Sequence, residues 1–262
     1  MGNIEKGTIT MDEITKITAA GNKKIDFALN HPLQFFLKAF MAGLYLGGAM
    51  IISYTGAAIL STNYPEFGKL FLAFTFGIGL AAIVFLGAEL FTGNCFSTAI
   101  SVYNKERTLK QIIPAWILCY IGNITGIALI GFILIKSGAN QSALSAYLHP
   151  LMESKLNYEP IQLILKGILC NYLVCIAAYS GIKMTTEPAK FSMIIFFVAA
   201  FVLPGLDHCI ANGGFWAMGL TLFGSEFSFG AICLHMLYAT IGNIIGGSFL
   251  LGLPIFFMNK EK

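Results

Sequence analysis

Pro204-Gly205-Leu206-Asp207-His208-Cys209-Ile210-Ala211-Asn212-Gly213-Gly214 interrupts an apolar stretch running from Lys190 to Phe223, and Glu89-Leu90-Phe91-Thr92-Gly93-Asn94 interrupts another running from Lys69 to Tyr103. Both stretches exceed the roughly 20 residues that a helix needs to cross a bilayer. Proline removes a backbone donor and glycine favours non-helical geometry, so both stretches are expected to be broken helices with unwound centres. Unwound backbone at membrane depth is tolerated only where protein or a water-lined cavity satisfies it. The two breaks therefore point to the interior of a membrane protein.

Working outward, apolar runs occupy six blocks, about 33–60, 69–103, 111–136, 160–183, 190–223 and 229–257, each long enough to span. Blocks three and six match one another, Tyr120-Ile121-Gly122-Asn123-Ile124-Thr125-Gly126 against Thr240-Ile241-Gly242-Asn243-Ile244-Ile245-Gly246, with Gly122 and Gly242 lying 120 residues apart. Two halves of three spans follow. Three is odd, so the second half enters the membrane inverted, with a broken helix in corresponding positions of each half; this pattern marks a translocation site near the midplane. In these terms the channel domain is 31–258, with repeat one at about 31–138, repeat two at about 158–258 and a short tail at 259–262.

Composition agrees. Of 262 residues, 56% are hydrophobic and 11% charged, with a mean hydropathy of +0.75, whereas a soluble domain carries about 25% charged residues. A soluble enzyme is excluded, and the spans leave no room for a separate catalytic domain. The net charge of +3 comes from dispersed basic residues, which gives no nucleic-acid footprint. Twelve of the sixteen Lys and Arg, including Lys6, Lys24, Lys38, Lys105, Arg107, Lys183, Lys190, Lys260 and Lys262, fall on one side if both termini are cytoplasmic. The positive-inside rule favours that orientation in an inner (plasma) membrane. Segment 1–30 lacks the apolar core of a cleavable signal peptide, so the first span is expected to direct insertion. From Thr10 to Leu29 a capping-box pattern precedes Ile14, Ile17, Ile25 and Leu29 interleaved with lysines. That pattern predicts an amphipathic helix lying on the inner membrane surface.

Ionisable groups at membrane depth are functional suspects because they are costly there. Glu89, Asp207 and His208 sit at the breaks, His235 in block six and Lys166 near the outer end of block four. Glu89 and Asp207 are expected to accept hydrogen bonds from backbone donors freed at the breaks. His208, beside Asp207 in a Pro/Gly-broken segment, is the candidate site residue. His235 lacks such neighbours in sequence and is assigned to packing or an interface. Asn123 and Asn243, each following a glycine, fit close packing with a cross-helix hydrogen bond better than a site. The six cysteines form no CxxC pair or metal-ligand spacing, so no metal and no cofactor is expected. No GxSxG, HExxH or GxGxxG motif occurs.

Glu89 to Asn94, Lys166-Gly167-Ile168-Leu169-Cys170-Asn171-Tyr172-Leu173-Val174-Cys175, Asp207 to Asn212 and Gly242-Asn243-Ile244-Ile245-Gly246-Gly247 together closely resemble the formate/nitrite transporter family. That family includes formate channels, nitrite transporters and hydrosulfide channels. The resemblance covers Pro32 to Pro254. It implies an all-α integral membrane protein of six transmembrane helices in two inverted three-helix repeats, aquaporin-like, with broken second and fifth helices. It also implies five protomers to a ring with one pore in each.

Carried over residue by residue, Thr92 resembles the family's threonine at the first break and His208 its central pore histidine. Phe76, Leu80, Leu90, Phe91, Val174 and Phe201 match the apolar residues of its two constrictions. Asn171 and Asn243 match its pore-side asparagines. Lys155, 16 residues before Asn171, stands where the family often has an outer-vestibule lysine. Asp207 departs from the glutamate of many relatives but keeps the charge. Gly93, Asn94 and Asn212 would support the breaks with Glu89 and Asp207, while Thr92 would order its loop and hold the imidazole tautomer.

The implied partners are a small inorganic or carboxylate anion of a weak acid, protons, lipid and further copies of the chain. Formate and hydrosulfide rank ahead of nitrite, because thiols that look reduced and a chain rich in Ile, Lys and Asn fit an anaerobe. Two other classes stay open: a neutral-solute channel, which would swell vesicles in glycerol, and an intramembrane enzyme using His208 and Cys209.

Overall fold

A computed structural model describes residues 9–259, with side chains from Ile14 onward. The first helix, α1 (Ile9–Asn30), begins before Thr10. The Thr10 side chain, where a cap was expected, lies outside the described residues, as do Lys6, Lys260 and Lys262. After α1 come α2 (Pro32–Ser61), α3 (Pro65–Leu86), α4 (Phe91–Tyr103), α5 (Leu109–Lys136), α6 (Gln141–Leu156), α7 (Pro160–Lys183), α8 (Glu187–Val202), α9 (Cys209–Phe223), α10 (Phe229–Ile245) and α11 (Leu253–Met258). A π-helical segment, Gly246–Gly252, joins the last two. This is an all-α, multi-pass membrane fold. Among the described residues, five helical stretches are long and apolar enough to cross a bilayer: Pro32–Ser61, Pro65–Leu86, Leu109–Lys136, Pro160–Lys183 and Phe229–Met258. Block five is divided between α8, of 16 residues, and α9, of 15, neither long enough to cross alone.

Local chemistry sets the helix ends. Proline occupies the first turn of α2, α3, α7 and α8, where its missing N–H costs nothing. Thr108 with Gln111 and Glu159 with Gln162 form capping boxes on α5 and α7, satisfying donors in both directions. Gly87, at φ +73°, closes α3 in the left-handed region, a conformation that disfavours any Cβ.

The breaks are shorter than expected. The first spans only 87–90 and the second 203–208, so Gly93, Gly213 and Gly214 are helical. The last two serve packing instead: a Cβ on Gly214 would stand 2.4 Å from Met50 Sδ, and one on Gly213 2.5 Å from Ile124 Cδ1.

Helix pairs α2/α5 and α7/α10 meet through small residues, as membrane helices do when backbones approach closely. A Cβ on Gly126 would lie 2.2 Å from the Phe40 carbonyl oxygen, and one on Gly242 2.3 Å from that of Ile164. Gly126→Ala is therefore expected to cost about 1–3 kcal/mol through overpacking. Gly48→Ala, with no atom within 4 Å of its Cβ, should leave stability unchanged or raise it by up to about 1 kcal/mol. Thermal unfolding of the two variants in detergent checks the contrast.

Helix α1 does not turn its apolar face to lipid. Ile17 and Ile25 are fully buried, and a Cβ on Gly21 would lie 2.4 Å from the Ser97 carbonyl oxygen of α4. Ser101 Oγ donates to the Thr18 carbonyl at 3.2 Å, and Arg107 pairs with Asp26 at 2.6 Å. The stripe that suits a membrane surface equally suits α4, and polar ties to α4 and the loop after it hold it there.

Between the halves, in the stretch left outside both repeats, lies α6. His149 anchors it: Nε2 stands 2.5 Å from Glu226 Oε1, with its ring edge-on to Phe223 and Phe227. The hydrogen bond to Glu226 holds the imidazole pKa above its usual value against the desolvation that lowers it, with the charges of Glu226 and Glu153 adding to the rise. A folded pKa raised above the unfolded one stabilises fully below about pH 6.5, and the gain is lost as pH rises through the folded value. Melting temperatures of wild type and Glu226→Gln should differ at pH 5.5 and converge above the raised pKa.

Candidate pore and substrate site

Two cavities share α3 as a wall. One, of about 640 Å³, is lined by Lys24, Lys38, Leu80, Glu89, Leu90 and Gly93 among others. The second, of about 500 Å³, is lined by Lys69, Phe76, Lys155, Phe201, His208 and Asn212 among others. Along α3 the lining changes between Phe76 and Leu80. Four residues rise about 6 Å, so the partition between the cavities is roughly one helical turn thick.

Asparagines satisfy the backbone on either side. Asn123 of α5 accepts the Phe91 N–H at 2.8 Å and donates to the carbonyls of Ala39 and Glu89 at 2.7 and 2.8 Å. Asn243 of α10 accepts the Cys209 N–H at 2.9 Å and donates to the carbonyls of Gly167 and Asp207 at 2.9 and 2.8 Å. This corrects the expected roles of Glu89 and Asp207, whose backbone carbonyls, not their carboxylates, take part in closing the breaks. An amide both donates and accepts, which a carboxylate cannot do when ionised. The expected cross-helix bonding by Asn123 and Asn243 is present, to Ala39 of α2 and Gly167 of α7, and each amide also bonds the backbone of the break beside it.

The carboxylates instead hold lysines. Lys24 Nζ lies 3.2 Å from Glu89 Oε2 and donates to Asn94 Oδ1 at 2.6 Å. In the other cavity Lys155 bonds Asp207 and donates to Asn212 Oδ1 at 3.2 Å, while Asn212 Nδ2 donates to Asp207 at 3.0 Å. Each lysine side chain is more exposed than its carboxylate, 28% against 13% for Lys24 and Glu89 and 19% against 0% for Lys155 and Asp207. The Lys155 cavity is lined by the lysine and not by Asp207, whereas in the other cavity Glu89 lines the wall beside Lys24. Sequence reasoning missed Lys24, whose partners lie 65 and 70 positions further on.

His208 lies at the partition, 4% exposed, as the N-cap of α9. Its Nδ1 accepts the Ala211 N–H at 3.1 Å, its Nε2 stands 3.1 Å from Thr92 Oγ1, and its ring stacks on Phe201 at 5.9 Å. A backbone N–H can only donate, so it makes Nδ1 the acceptor, and the neutral ring carries its proton on Nε2. Ala211, not Thr92, thus sets the tautomer. Thr92 Oγ1 receives the Nε2 proton and keeps its own O–H to offer.

The remaining candidates divide. Phe76 and Phe201 line the Lys155 cavity, Leu80, Leu90 and Gly93 the Lys24 cavity. Val174 and Asn171 are buried without lining either. Asn171 Nδ2 donates to the carbonyls of Thr92 and Asn243 at 3.2 and 2.6 Å, so it ties the breaks together. Phe91 departs from the expected constriction: its ring packs edge-on against Trp116 and Tyr120 and lines a lateral apolar groove. His235, assigned to packing for want of neighbours, lies against Asp207 and Trp216.

Opposed cavities meeting at a thin polar partition within a multi-pass bundle define a membrane transport protein. The Formate/nitrite transporter family model matches residues 11–257. The chain belongs to that family, whose members are channels and transporters, not enzymes. The nitrite transporter NirC of Escherichia coli (strain K12) is 28% identical over 254 residues, covering 95% of this chain and 92% of its own. A solved structure titled FNT family ion channel superposes with a TM-score of 0.86 at 28% identity, covering 94% of this chain and 98% of its own. Another, titled pentameric formate channel with formate bound, gives 0.72 at 25% identity, covering 86% of this chain and 96% of its own.

Proposed function

We propose that this chain forms a pH-gated pore for small monovalent anions of weak acids, formate or hydrosulfide before nitrite. The observation that carries the reading is the His208–Thr92 pair at a partition about one turn thick between two lysine-bearing cavities. An anion gathers near Lys155 or Lys24 and meets Phe76 and Phe201 from one side or Leu80 and Leu90 from the other. Crossing these apolar residues as a bare ion is costly, and the Thr92 O–H, left free because Thr92 Oγ1 accepts the His208 Nε2–H, replaces part of its water. A proton taken up at His208 Nδ1 displaces the Ala211 N–H. The resulting cation draws the anion in and can pass it the Nε2 proton, so that the substrate leaves as the neutral acid. Asn171 and Asn243 act through the backbone they hold.

In this reading there are six crossings, α3 with α4 and α8 with α9 forming the broken second and fifth, in two inverted halves at 31–138 and 158–258. Both termini face the cytoplasm, Lys24 opens to the inside and Lys155 to the outside of an inner membrane. Five protomers assemble, as in the solved pentameric formate channel.

Proteoliposome uptake of formate, hydrosulfide and nitrite at pH 5.5 and 7.5 tests it. Formate or hydrosulfide should enter, faster at the lower pH. Swelling in glycerol without anion flux would replace the reading with that of a neutral-solute channel.

A further inference from the structure

His235 has no part in the pathway just described, yet it is 2% exposed on α10 and touches the Lys155 cluster. Trp216 Nε1, from α9, donates to His235 Nδ1 at 3.4 Å. An indole N–H has no acceptor capacity, so Nδ1 is held as the acceptor and the neutral ring carries its proton on Nε2. That nitrogen faces Asp207 Oδ1 at 3.5 Å, the oxygen that also receives Lys155 and Asn212. The charged groups around the imidazole are thus Asp207 from the second break, Lys155 from α6 and, further off, Lys166 from α7.

The Lys24 cluster lacks this arrangement. The 120-residue offset between the halves puts Ala115, a buried residue of α5, in the place of His235, and Glu89 faces no imidazole among the described residues.

Resting on the proposed anion pore, we propose that His235 is a positioning residue for Lys155. As a fixed neutral dipole whose Nε2–H end lies 3.5 Å from Asp207 Oδ1, short of a hydrogen bond, it offsets part of the Asp207 charge, and so sets how much of the lysine's charge is left for an anion entering from the Lys155 cavity. With the imidazole removed, Asp207 is left to Lys155 and Asn212 alone. The lysine is held more tightly and captures anions less well. Entry from the Lys24 side, with its own carboxylate and no equivalent dipole, is untouched. The pore thereby acquires different affinities at its two mouths.

The test is half-saturation for radiolabelled formate in right-side-out and inside-out vesicles. His235→Leu should raise it roughly threefold to tenfold for entry at the Lys155 face only, with the maximal rate kept. His235→Gln, whose amide N–H reaches the place of Nε2, should restore it. Trp216→Phe removes the bond that fixes the ring against Asp207, so that the same half-saturation should rise at the Lys155 face by part of the leucine variant's effect. Equal changes at both faces, a fall in maximal rate alone, or no recovery with glutamine would overturn the proposal. If His235→Leu does not assemble, an unaltered half-saturation at the Lys155 face in Trp216→Phe overturns it instead. Lys155→Ala is the separate control: unchanged entry there would remove the anion-capture reading itself.

Discussion

His208→Phe should abolish the acid stimulation of anion flux while leaving an assembled protein. Phenylalanine keeps the ring that stacks on Phe201 but removes the Nε2–H offered towards Thr92 and the Nδ1 that caps Ala211. The cap is worth about 0.5–2 kcal/mol, so the variant folds with a lowered melting point. The partition loses its titratable group and the donor that leaves the Thr92 O–H free for the anion. A hydrogen bond to a charged group contributes about 1.5–3 kcal/mol, and each 1.4 kcal/mol is about tenfold. Flux at pH 5.5 should fall roughly tenfold to hundredfold, with the ratio of rates at pH 5.5 and 7.5 collapsing to that set by the substrate's own titration. His208→Asn separates the two losses, since asparagine caps a helix well and supplies an amide donor. It should recover melting point and part of the flux. Wild-type pH dependence in the phenylalanine variant would remove His208 from the gate.

Whatever is rare in an apolar run was legible in the sequence. Proline, glycine and ionisable residues stand out against leucine and phenylalanine, which is why Pro204 to Gly214 and Glu89 to Asn94 located both breaks and His208. The repeated Gly-Asn exposed the pairing of α5 with α10. What was not legible depends on which atoms meet across long sequence separations. A pattern of alternating Ile and Lys is the same whether its apolar face meets lipid or α4, so the burial of α1 and the role of Lys24 were hidden. His235 looked isolated because its neighbours, Trp216 and Asp207, come from other elements. The stretch carrying α6 includes Pro150 and many polar residues and forms no long apolar run, so Lys155 entered only through the family resemblance. Side-chain direction was equally out of reach: Phe91 sits beside Leu90 in the chain, yet Leu90 faces a cavity and Phe91 the lateral groove.

Asn243→Leu should prevent assembly altogether, and its counterpart Asn123→Leu should do the same. Ordinary side-chain hydrogen bonds between membrane helices average about 0.6 kcal/mol, and three of them would cost about 2 kcal/mol, which most folds survive. The partners here are different. The Cys209 N–H and the carbonyl of Asp207 belong to unwound or helix-starting backbone, and both, with the Gly167 carbonyl, are bonded to the Asn243 amide at 2.8–2.9 Å. Leucine, close to asparagine in size, keeps water out without offering a partner. The Cys209 N–H and the Asp207 carbonyl then each bear a desolvation penalty of about 1–3 kcal/mol, the Gly167 carbonyl keeping its bond within α7, for a total of roughly 2–6 kcal/mol against a stability of about 5–15 kcal/mol. The break itself would have to move, taking His208, one residue before Cys209, out of reach of Thr92. Asn243→Asp distinguishes loss of donors from loss of shape: an ionised carboxylate still accepts from Cys209 but faces two carbonyl oxygens, so it should fail as badly as leucine. Asn243→Gln keeps donor and acceptor on a longer stem and should retain some assembled protein. Gel filtration in mild detergent and thermal unfolding read the outcome. An Asn243→Leu protein that elutes as wild type and melts within a few degrees of it would mean that the breaks are held by something other than their asparagines.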